Sequence, residues 1–413
     1  MKSADPSKSS STVPEPRGHV PRIAVQYLEY PPVGAGPLEV RARLRDAHAH
    51  LPFDTLILGW NATPRLEEDV AEEAVHLGVA LYRWQPLLSG GGDLKPSQEW
   101  RSIGLDGRPV PGYNDLEEFT FYCPNNPELL DLLEERVRSG LKCGYYQGVF
   151  LDRIRFPSGT DDPGKHLACF CRRCIRSAGD QGLDLDALRR YLLFLHSRQR
   201  SAETIVRSLL GEAIDIQLES WLDFRCESIG RCIARMAEPL RAHGYGIGLD
   251  CFAPSLARLV GQDLADLGKL TDWTKLMTYP RVFAPAGMAY EFRNLAHYLF
   301  QNGLNEDEVL TLLRNATQLS FPTDLRTLAD LGMGPDTLAK EIEKCSRPEL
   351  GPILAGLPLV DVPGIHAADG SLIQGEIEAA RHAAGIVPSW DIWSTGNEAL
   401  DLVRTLWYEG KTI

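Results

Sequence analysis

The chain lacks the features of several protein classes. No apolar run approaches the ~20 residues that a membrane helix needs. No block of lysine and arginine offsets the net charge of −13, which argues against nucleic acid and anionic membranes as partners. Residues 1–20 are rich in serine, proline and charge and have no apolar core, so we expect a disordered tail, not a signal peptide. Nine cysteines without an export signal favour a cytoplasmic protein with thiols or a metal site over disulfides.

The most informative stretch is residues 147–157, which reads Gln-Gly-Val-Phe-Leu-Asp-Arg-Ile-Arg-Phe-Pro. A short apolar run between glycine and proline predicts a strand that is buried on both faces. Asp152 and Arg155 lie at its carboxyl end, where parallel α/β proteins carry their chemistry. Burial of Asp152 is costly unless a partner compensates, and Arg155 is the nearest candidate. Asp152 is therefore either a catalytic carboxylate or half of an ion pair that ties down a loop.

Strand candidates alternate with helical segments along the whole chain, and the two helices predicted after strand 4 cover residues 183–198 and 202–243. The strands are predicted at residues 22–30, 53–61, 79–85, 147–157, 244–250, 274–280, 353–361 and 385–391. Eight strand–helix units predict a parallel sheet closed into a (β/α)8 TIM barrel. We expect residues 21–413 to form one barrel domain, with long insertions after strands 3, 4 and 6. A doubly wound open sheet is the rival fold, but no Gly-x-Gly-x-x-Gly motif follows the first strand.

Acidic residues recur where the predicted strands end. They are Glu29, Asp152, Asp250, Asp361 and Asp391. A barrel gathers these ends at one mouth, and two facing carboxylates, one kept protonated by its surroundings, are what cleavage of a glycosidic bond requires. We expect Asp152 to be the nucleophile or electrostatic stabiliser and Asp250 the general acid/base. Asp361 or Asp391 could replace Asp250 in that role.

Aromatic and hydrogen-bonding side chains share the same strand ends and predict a carbohydrate site. The expected substrate-binding residues are Glu29, Trp60, Asn61, Trp84, Arg155, Tyr279, Trp390 and Asp391. Trp84 and Trp390 would form a platform for a sugar ring, while Arg155 and Tyr279 would hold Asp152 ionised. Any single aromatic residue can equally fill the core of the barrel.

The Cys169-x-Cys171-x-x-Cys174 pattern predicts a compact thiolate corner for zinc. Cys123 is the best fourth ligand, because it lies at the base of the loop after strand 3, and His166 is the second choice. A closed site of four cysteines would hold a structural zinc ion that joins the loops after strands 3 and 4. The alternative is a set of thiols without metal.

The segment Asp46-Ala-His48-Ala-His50 is similar to the metal motif of amidohydrolase barrels. It falls at the end of a helical stretch, just before the next strand, so we expect it near the face opposite the active site. Only His366 follows a later strand end as a further histidine ligand. A metal-dependent hydrolase is therefore the weaker hypothesis.

Residues 148–157 resemble the Gly-hydrophobic-x-Leu-Asp-x-Ile-Arg-Tyr/Phe-Pro strand of TIM-barrel glycoside hydrolases. Residues 277–280 and 221–225 are similar to later segments of that group. The Cys123 and Cys169–Cys174 arrangement resembles the zinc loop of glycoside hydrolase family 42 β-galactosidases. The resemblance implies a (β/α)8 barrel that acts on a carbohydrate and carries structural zinc.

The catalytic glutamates of family 42 cannot be carried over. That family has Asn-Glu after strand 4 and a glutamate after strand 7, where this chain has Leu151-Asp152 and Val360-Asp361. An aspartate after strand 4 is instead similar to the nucleophile of amylase-type and α-galactosidase-type barrels.

The sequence thus predicts a cytoplasmic glycoside hydrolase. One alternative is an inactive sugar-binding barrel, whose carboxylates would lie outside the ~5–9.5 Å separation that glycosidases use. The other is a metal-dependent hydrolase that uses His48 and His50. The identity of the sugar, retention or inversion, and homo-oligomer formation are left open.

Overall fold

The computed structural model describes most of the chain. The described residues are 19–27, 36–60, 62–90, 97–141, 144–198, 200–359, 361–368, 370–389 and 395–408. The predicted tail falls outside them except for residues 19 and 20. Within these ranges, none of the helices combines the length and apolar character needed to cross a membrane.

Eight parallel strands form one sheet in chain order. The strands are β1 (Ala24–Tyr27), β2 (Thr55–Leu58), β3 (Ala80–Pro86), β4 (Gly148–Asp152), β5 (Gly246–Phe252), β6 (Trp273–Met277), β7 (Ile353–Pro358) and β8 (Gly385–Ser389). A parallel bridge between Ile23 and Ile386 joins the last strand to the first. The predicted (β/α)8 barrel is confirmed.

Helices connect consecutive strands and surround the sheet. The α-helices are α1 (Pro37–His50), α2 (Pro64–Leu77), α3 (Pro127–Gly140), α4 (Pro163–His166), α5 (Arg172–Gly179), α6 (Leu185–His196), α7 (Ala202–Leu209), α8 (Ile216–Ala242), α9 (Pro254–Ala257), α10 (Leu264–Gly268), α11 (Met288–Gln301), α12 (Glu306–Thr317), α13 (Leu325–Leu331), α14 (Asp336–Lys344), α15 (Gly370–Ala379) and α16 (Asn397–Tyr408). Short 3-10 helices cover Gln98–Trp100, Tyr113–Asp115, Glu117–Phe119, Arg258–Val260, Pro348–Leu350 and Ala380–His382. The predicted insertions after β3, β4 and β6 are the longest connections.

Two predicted boundaries differ from the structure for local reasons. Strand β4 ends at Asp152, because Arg153 adopts a left-handed backbone with φ of 53° that turns the chain. The single helix predicted over residues 202–243 is divided into α7 and α8. Gly211 has φ of 93° between them, and the Asp215 side chain accepts hydrogen bonds from the first turn of α8.

The barrel interior is filled mainly by aromatic side chains. This interior cluster consists of Ala24, Ile57, Tyr82, Trp84, Phe150, Trp273, Leu354 and Val387. Phe150 and Trp273 stack with ring centroids 5.3 Å apart. Because side chains alternate faces along a strand, the inward positions two residues later are Asp152 and Lys275. The packed interior thus supports a charged layer at the carboxyl ends of the strands.

The loop after β4 is fixed by a buried arginine of α8. The Arg225 guanidinium lies over Phe156 and Trp221, at 4.9 and 4.7 Å from the ring centroids. It donates hydrogen bonds to the carbonyl oxygens of Leu259, at 2.5 Å, and Pro157, at 3.4 Å. The residue 221–225 segment therefore packs in the core against the loops after β4 and β5.

The close packing of the interior predicts the effect of a single methyl group. A Cβ at Gly248 would lie 2.4 Å from a ring carbon of Trp273. We expect Gly248→Ala to lower the free energy of unfolding by about 1–3 kcal/mol. Gly230→Ala on α8 is the matched control, since its Cβ would meet nothing within 4 Å. Thermal melting should show a clear loss for the first variant and none for the second; equal melting temperatures would contradict this packing.

Candidate active site

Three ionisable side chains lie side by side on three neighbouring strands. Leu151 of β4 pairs in register with Leu249 of β5, so Asp152 and Asp250, the next residues, are adjacent inward positions. Asp250 in turn pairs in register with Lys275 of β6. All three are buried. The sequence singled out both aspartates, and the barrel brings them together at its carboxyl end.

Asp152 is oriented by one N–H donor at each carboxylate oxygen. The indole Nε1 of Trp84 donates to Oδ2 at 2.9 Å, and the backbone amide of Arg153 donates to Oδ1 at 2.5 Å. The Arg153 side chain is farther away, with Nε 4.0 Å from Oδ2. Asp152 therefore keeps a defined orientation without a close ion pair, and it retains 8% exposure.

Trp84 belongs both to the barrel interior and to the site. It is only 6% exposed and packs edge-on against Trp60, with ring centroids 4.8 Å apart. Its ring therefore fills space below the mouth while its N–H holds Asp152. Trp60 follows β2 and is half-buried at the top of the same cluster, so it is the more accessible of these two predicted substrate-binding tryptophans.

Arg153 ties the loop after β3 to the mouth of the barrel. Its Nη1 donates to Ser89 Oγ at 3.1 Å, to the Gly90 carbonyl oxygen at 3.0 Å and to the Glu118 carbonyl oxygen. Its guanidinium also lies 5.2 Å from the ring centroid of Trp60. Burial lowers the pKa of Arg153, and the carboxylate of Asp152 opposes that effect. This role could not be predicted from the sequence, because nothing in the motif separates Arg153 from an exposed arginine.

Asp250 lies in a drier environment than Asp152. Its Oδ2 accepts a hydrogen bond from Lys275 Nζ at 3.0 Å, while its buried Oδ1 has no hydrogen-bond partner among the described residues. Burial raises the pKa of Asp250 to about 7, although Lys275 acts in the opposite direction, and the nearby Asp152 adds to the rise. Asp250 can therefore carry a proton near neutral pH.

Lys275 is a site residue that the sequence analysis did not identify. Its Nζ donates to Gln26 Oε1 at 2.7 Å as well as to Asp250, and it is hydrogen-bonded to the Tyr279 side chain. Burial disfavours its charge, but Asp250 and Tyr279 outweigh that effect and leave the pKa of Lys275 raised. The available signal was a lone lysine inside an otherwise apolar buried strand.

Arg155 is buried between two aromatic rings, and among the described residues it forms no direct ion pair with Asp152. Its guanidinium is stacked 3.9 Å from the ring centroid of Phe121 and 4.7 Å from that of Phe252. Burial lowers the pKa of Arg155 to about 10, and Glu291 and then Asp152 counteract this shift. Arg155 thus stays protonated at neutral pH, and its charge acts on the two acids through space without direct contact.

Glu291, in the first turn of α11, was also missed. It is fully buried and accepts hydrogen bonds from the Thr160 hydroxyl and, at 3.0 Å, from the Ala286 amide. Burial raises the pKa of Glu291, while these hydrogen bonds and Arg155 lower it. Because Thr160 follows β4 and Ala286 follows β6, Glu291 joins the two longest loops of the mouth.

The remaining predicted site residues are placed differently. Glu29, Asn61, Trp390 and Asp391 lie outside the described residues, so their roles stay predictions. Tyr279 is buried beside Lys275, whose Nζ lies 5.6 Å from its ring centroid. Asp361 is exposed in the loop after β7, where it accepts a hydrogen bond from the Ala368 amide at 2.6 Å.

A cleft opens between the loops after β6 and β7. Its volume is about 1020 Å³, and its wall includes Arg281, Phe283, Arg293 and His366. Arg281 is held at 2.8 Å by the buried carboxylate of Glu376 on α15. Because these loops follow the carboxyl ends of β6 and β7, the cleft lies on the same face of the barrel as Asp152 and Asp250.

The four predicted cysteine ligands form one group. The sulfur atoms of Cys123, Cys169, Cys171 and Cys174 all lie within 4.8 Å of one another. Metal–sulfur bonds of about 2.3 Å in a tetrahedron give sulfur–sulfur edges of about 3.8 Å, so the group can hold one ion. The Ile103 amide donates to Cys169 Sγ at 3.3 Å, as expected for a thiolate site supported by backbone N–H groups.

The histidine motif is used elsewhere in the fold. His48 Nε2 lies 3.1 Å from the Phe53 carbonyl oxygen, and His50 Nδ1 lies 2.9 Å from Asp401 of α16. Both residues end α1, which places them at the face opposite the mouth. In the described ranges, the four cysteines are the one cluster of three or more side chains that could hold a metal ion. This placement gives no support to the metal-dependent hydrolase.

Comparisons with known proteins bear on the fold. No protein-family model and no curated protein matches the chain. Among solved structures, it is similar to α-L-fucosidase isoenzyme 2 from Paenibacillus thiaminolyticus, with a TM-score of 0.52 and 12% identity over 95% of this chain and 49% of that one. An α-galactosidase from Lactobacillus brevis gives 0.44 and 10% over 96% and 40%. The chain spans about half the length of the fucosidase, and at this identity the likeness concerns the barrel fold alone.

The cysteine group predicts a bound metal ion. We expect the purified protein to contain one metal ion per chain by elemental mass spectrometry, and Cys171→Ser to lose it because a tetrahedral site needs all four sulfur atoms. Removal of the ion by a chelator should also lower the melting temperature. Cys345→Ser, at a buried thiol outside the group, is the control. A metal-free native protein, or equal loss in both variants, would contradict the assignment.

Proposed function

We propose that the chain is a glycoside hydrolase in which Asp152 is the nucleophile or electrostatic stabiliser and Asp250 is the general acid/base. The observation that carries this proposal is the pair of neighbouring carboxylates in contrasting surroundings. Asp152 accepts N–H donors at both oxygens, whereas burial raises the pKa of Asp250 to about 7. Divergent environments for two adjacent acids are the usual basis of acid/base division in glycosidases.

In this scheme the proton of Asp250 is delivered to the glycosidic oxygen as the bond to the anomeric carbon breaks. Positive charge then develops on the sugar ring, and the carboxylate of Asp152 stabilises it or bonds to the anomeric carbon. Lys275 and Arg155 balance the two acids before and after proton transfer. The second step is attack of water, for which Asp250 is the base in a retaining enzyme.

Two further features support a carbohydrate substrate. Trp60 lies half-buried at the mouth, where its ring could face a sugar. The cleft between the loops after β6 and β7 adds about 1020 Å³ on the same face, enough for sugar units beyond the one that is cleaved. The similar solved structures are named as a fucosidase and a galactosidase, which agrees with the proposal but does not carry it.

We also propose that the cysteine group holds structural zinc and that residues 21–413 act as one cytoplasmic catalytic domain. Four thiolates without an open position suit a structural ion better than a catalytic one. Cys123 lies in the loop after β3 and the other three follow β4, so the ion would join these two loops. Reduced thiols at this site fit a reducing compartment.

Replacement of the proposed nucleophile gives the first test of function. Asp152→Asn should lower kcat/KM on a responsive aryl glycoside by on the order of 10⁴-fold, since it removes the negative charge that faces the anomeric carbon. Melting temperature and metal content should stay near those of the unaltered protein. A screen of nitrophenyl glycosides identifies the substrate. Unchanged turnover in the variant would disprove the assignment, and oligosaccharide binding without turnover by the unaltered protein would favour the sugar-binding alternative.

The proposed acid predicts a dependence on leaving group and pH. Because Asp250 must be protonated to act, kcat/KM should fall as pH rises through about 7. Asp250→Asn should remove this alkaline limb and cost about 10²–10⁴-fold on substrates with alcohol leaving groups. The loss should be much smaller for nitrophenyl glycosides, whose leaving group needs no proton. The parallel variant Asp361→Asn tests the alternative acid, and a leaving-group effect there would transfer the role to Asp361.

A further inference from the structure

We propose that Lys275 is a positioning residue for Asp250, holding the acid by one oxygen and leaving the other for the substrate. The inference rests on the proposed function and adds a residue to its machinery. It stands on the contacts of Lys275, which connect three parts of the barrel.

The ammonium group of Lys275 has no donor left for a substrate. It carries three N–H donors, and the structure gives it three acceptors: Gln26 Oε1 at 2.7 Å, Asp250 Oδ2 at 3.0 Å and the Tyr279 side chain. A protonated, fully hydrogen-bonded lysine is also no nucleophile. Lys275 can therefore act on the reaction only through the groups that it contacts.

The location of Lys275 is fixed from several directions. It is paired in register with Asp250 on the neighbouring strand, while Gln26 approaches from β1, which is not adjacent to β6 in the sheet. Below it lies Phe150, whose ring centroid is 5.7 Å from Nζ. The Lys275 side chain thus extends across the barrel interior above the aromatic cluster. Its ammonium group cannot shift without breaking contacts to β1 and β5.

This arrangement leaves Asp250 with one hydrogen-bonded oxygen and one unpaired oxygen. Oδ2 is bound by Lys275, whereas Oδ1 is buried with no hydrogen-bond partner in the described part of the chain. A buried polar atom without a partner is unfavourable, so an oxygen in this state beside a second carboxylate gains a hydrogen bond when a ligand supplies one. A protonated Oδ1 would donate to a glycosidic oxygen, and an ionised one would accept from a hydroxyl group or water.

The charge of Lys275 also affects the protonation of Asp250. The charged groups that face Asp250 are Lys275 from β6, Asp152 from β4 and Arg155 from the loop after β4. Lys275 and Arg155 favour its ionised form, and burial and Asp152 favour the protonated form. Without the lysine charge, Asp250 would keep its proton to higher pH. A lysine that ties buried elements together away from Asp250 would leave this balance unchanged.

The test compares Lys275→Gln, Lys275→Arg and the unaltered protein. In Lys275→Gln, kcat should fall at least about 10-fold with little change in KM, because the acid is less well placed. The alkaline limb of the pH–rate profile should move up by on the order of one pH unit, since a nearby positive charge is lost. Lys275→Arg keeps the charge and should restore the limb towards its original position while kcat stays reduced.

Lys344→Gln is the matched control. Lys344 pairs at 2.7 Å with Glu341, a fully buried carboxylate in α14, so its removal also breaks an ion pair with a buried acid. It should leave the alkaline limb in place. A limb that does not move in Lys275→Gln, or that moves equally in Lys344→Gln, would overturn the inference.

An infrared titration separates this inference from the proposed function. The C=O band of protonated Asp250, assigned by its loss in Asp250→Asn, can be followed with pH in the absence of substrate. Its midpoint should rise in Lys275→Gln and stay constant in Lys344→Gln. If the midpoint rises in Lys275→Gln but the unaltered protein hydrolyses no glycoside, the proposed function is refuted and the placement of Lys275 is supported. Hydrolysis with an unchanged midpoint would refute the inference alone.

Discussion

The site depends on one constraint: the charges buried at the carboxyl ends of β4, β5 and β6 must be compensated by nearby groups. Asp152, Asp250 and Lys275 are each removed from water, and an isolated charge in such a place would be strongly destabilising. Their close packing above an aromatic interior is tolerable for three reasons. Lys275 forms an ion pair with Asp250, burial lets Asp250 carry a proton near neutral pH, and N–H donors from Trp84 and the Arg153 backbone bind the two oxygens of Asp152. Stability and acid/base chemistry are thus properties of the same row of residues.

Further side chains hold the long loops at the mouth of the barrel. Arg153 connects the end of β4 to the loop after β3, Glu291 connects the loops after β4 and β6, and Arg225 supports the β4 loop from below. The four cysteines add a further junction between the loops after β3 and β4. A barrel provides rigid strands, and these junctions extend the rigidity to segments that would otherwise be mobile.

The fold and part of the site could be predicted from the sequence for different reasons. Parallel strands buried on both faces leave continuous apolar runs, so all eight strands were found, and the cysteine spacing identified the sulfur cluster. Lys275, Glu291 and Arg153 were missed, because their roles depend on partners from other strands and loops. Gln26 and Lys275, for example, are 249 residues apart in the chain and meet only across the closed barrel.

The contacts of Arg153 have a consequence for how the loop after β3 can change. Two of its three acceptors there are carbonyl oxygens of the main chain, at Gly90 and Glu118. Such oxygens are present whatever side chain occupies the position. Exposed side chains of this loop, such as that of Glu118, are therefore free to diversify, and with them the range of ligands admitted at the rim, while the contacts of Arg153 persist.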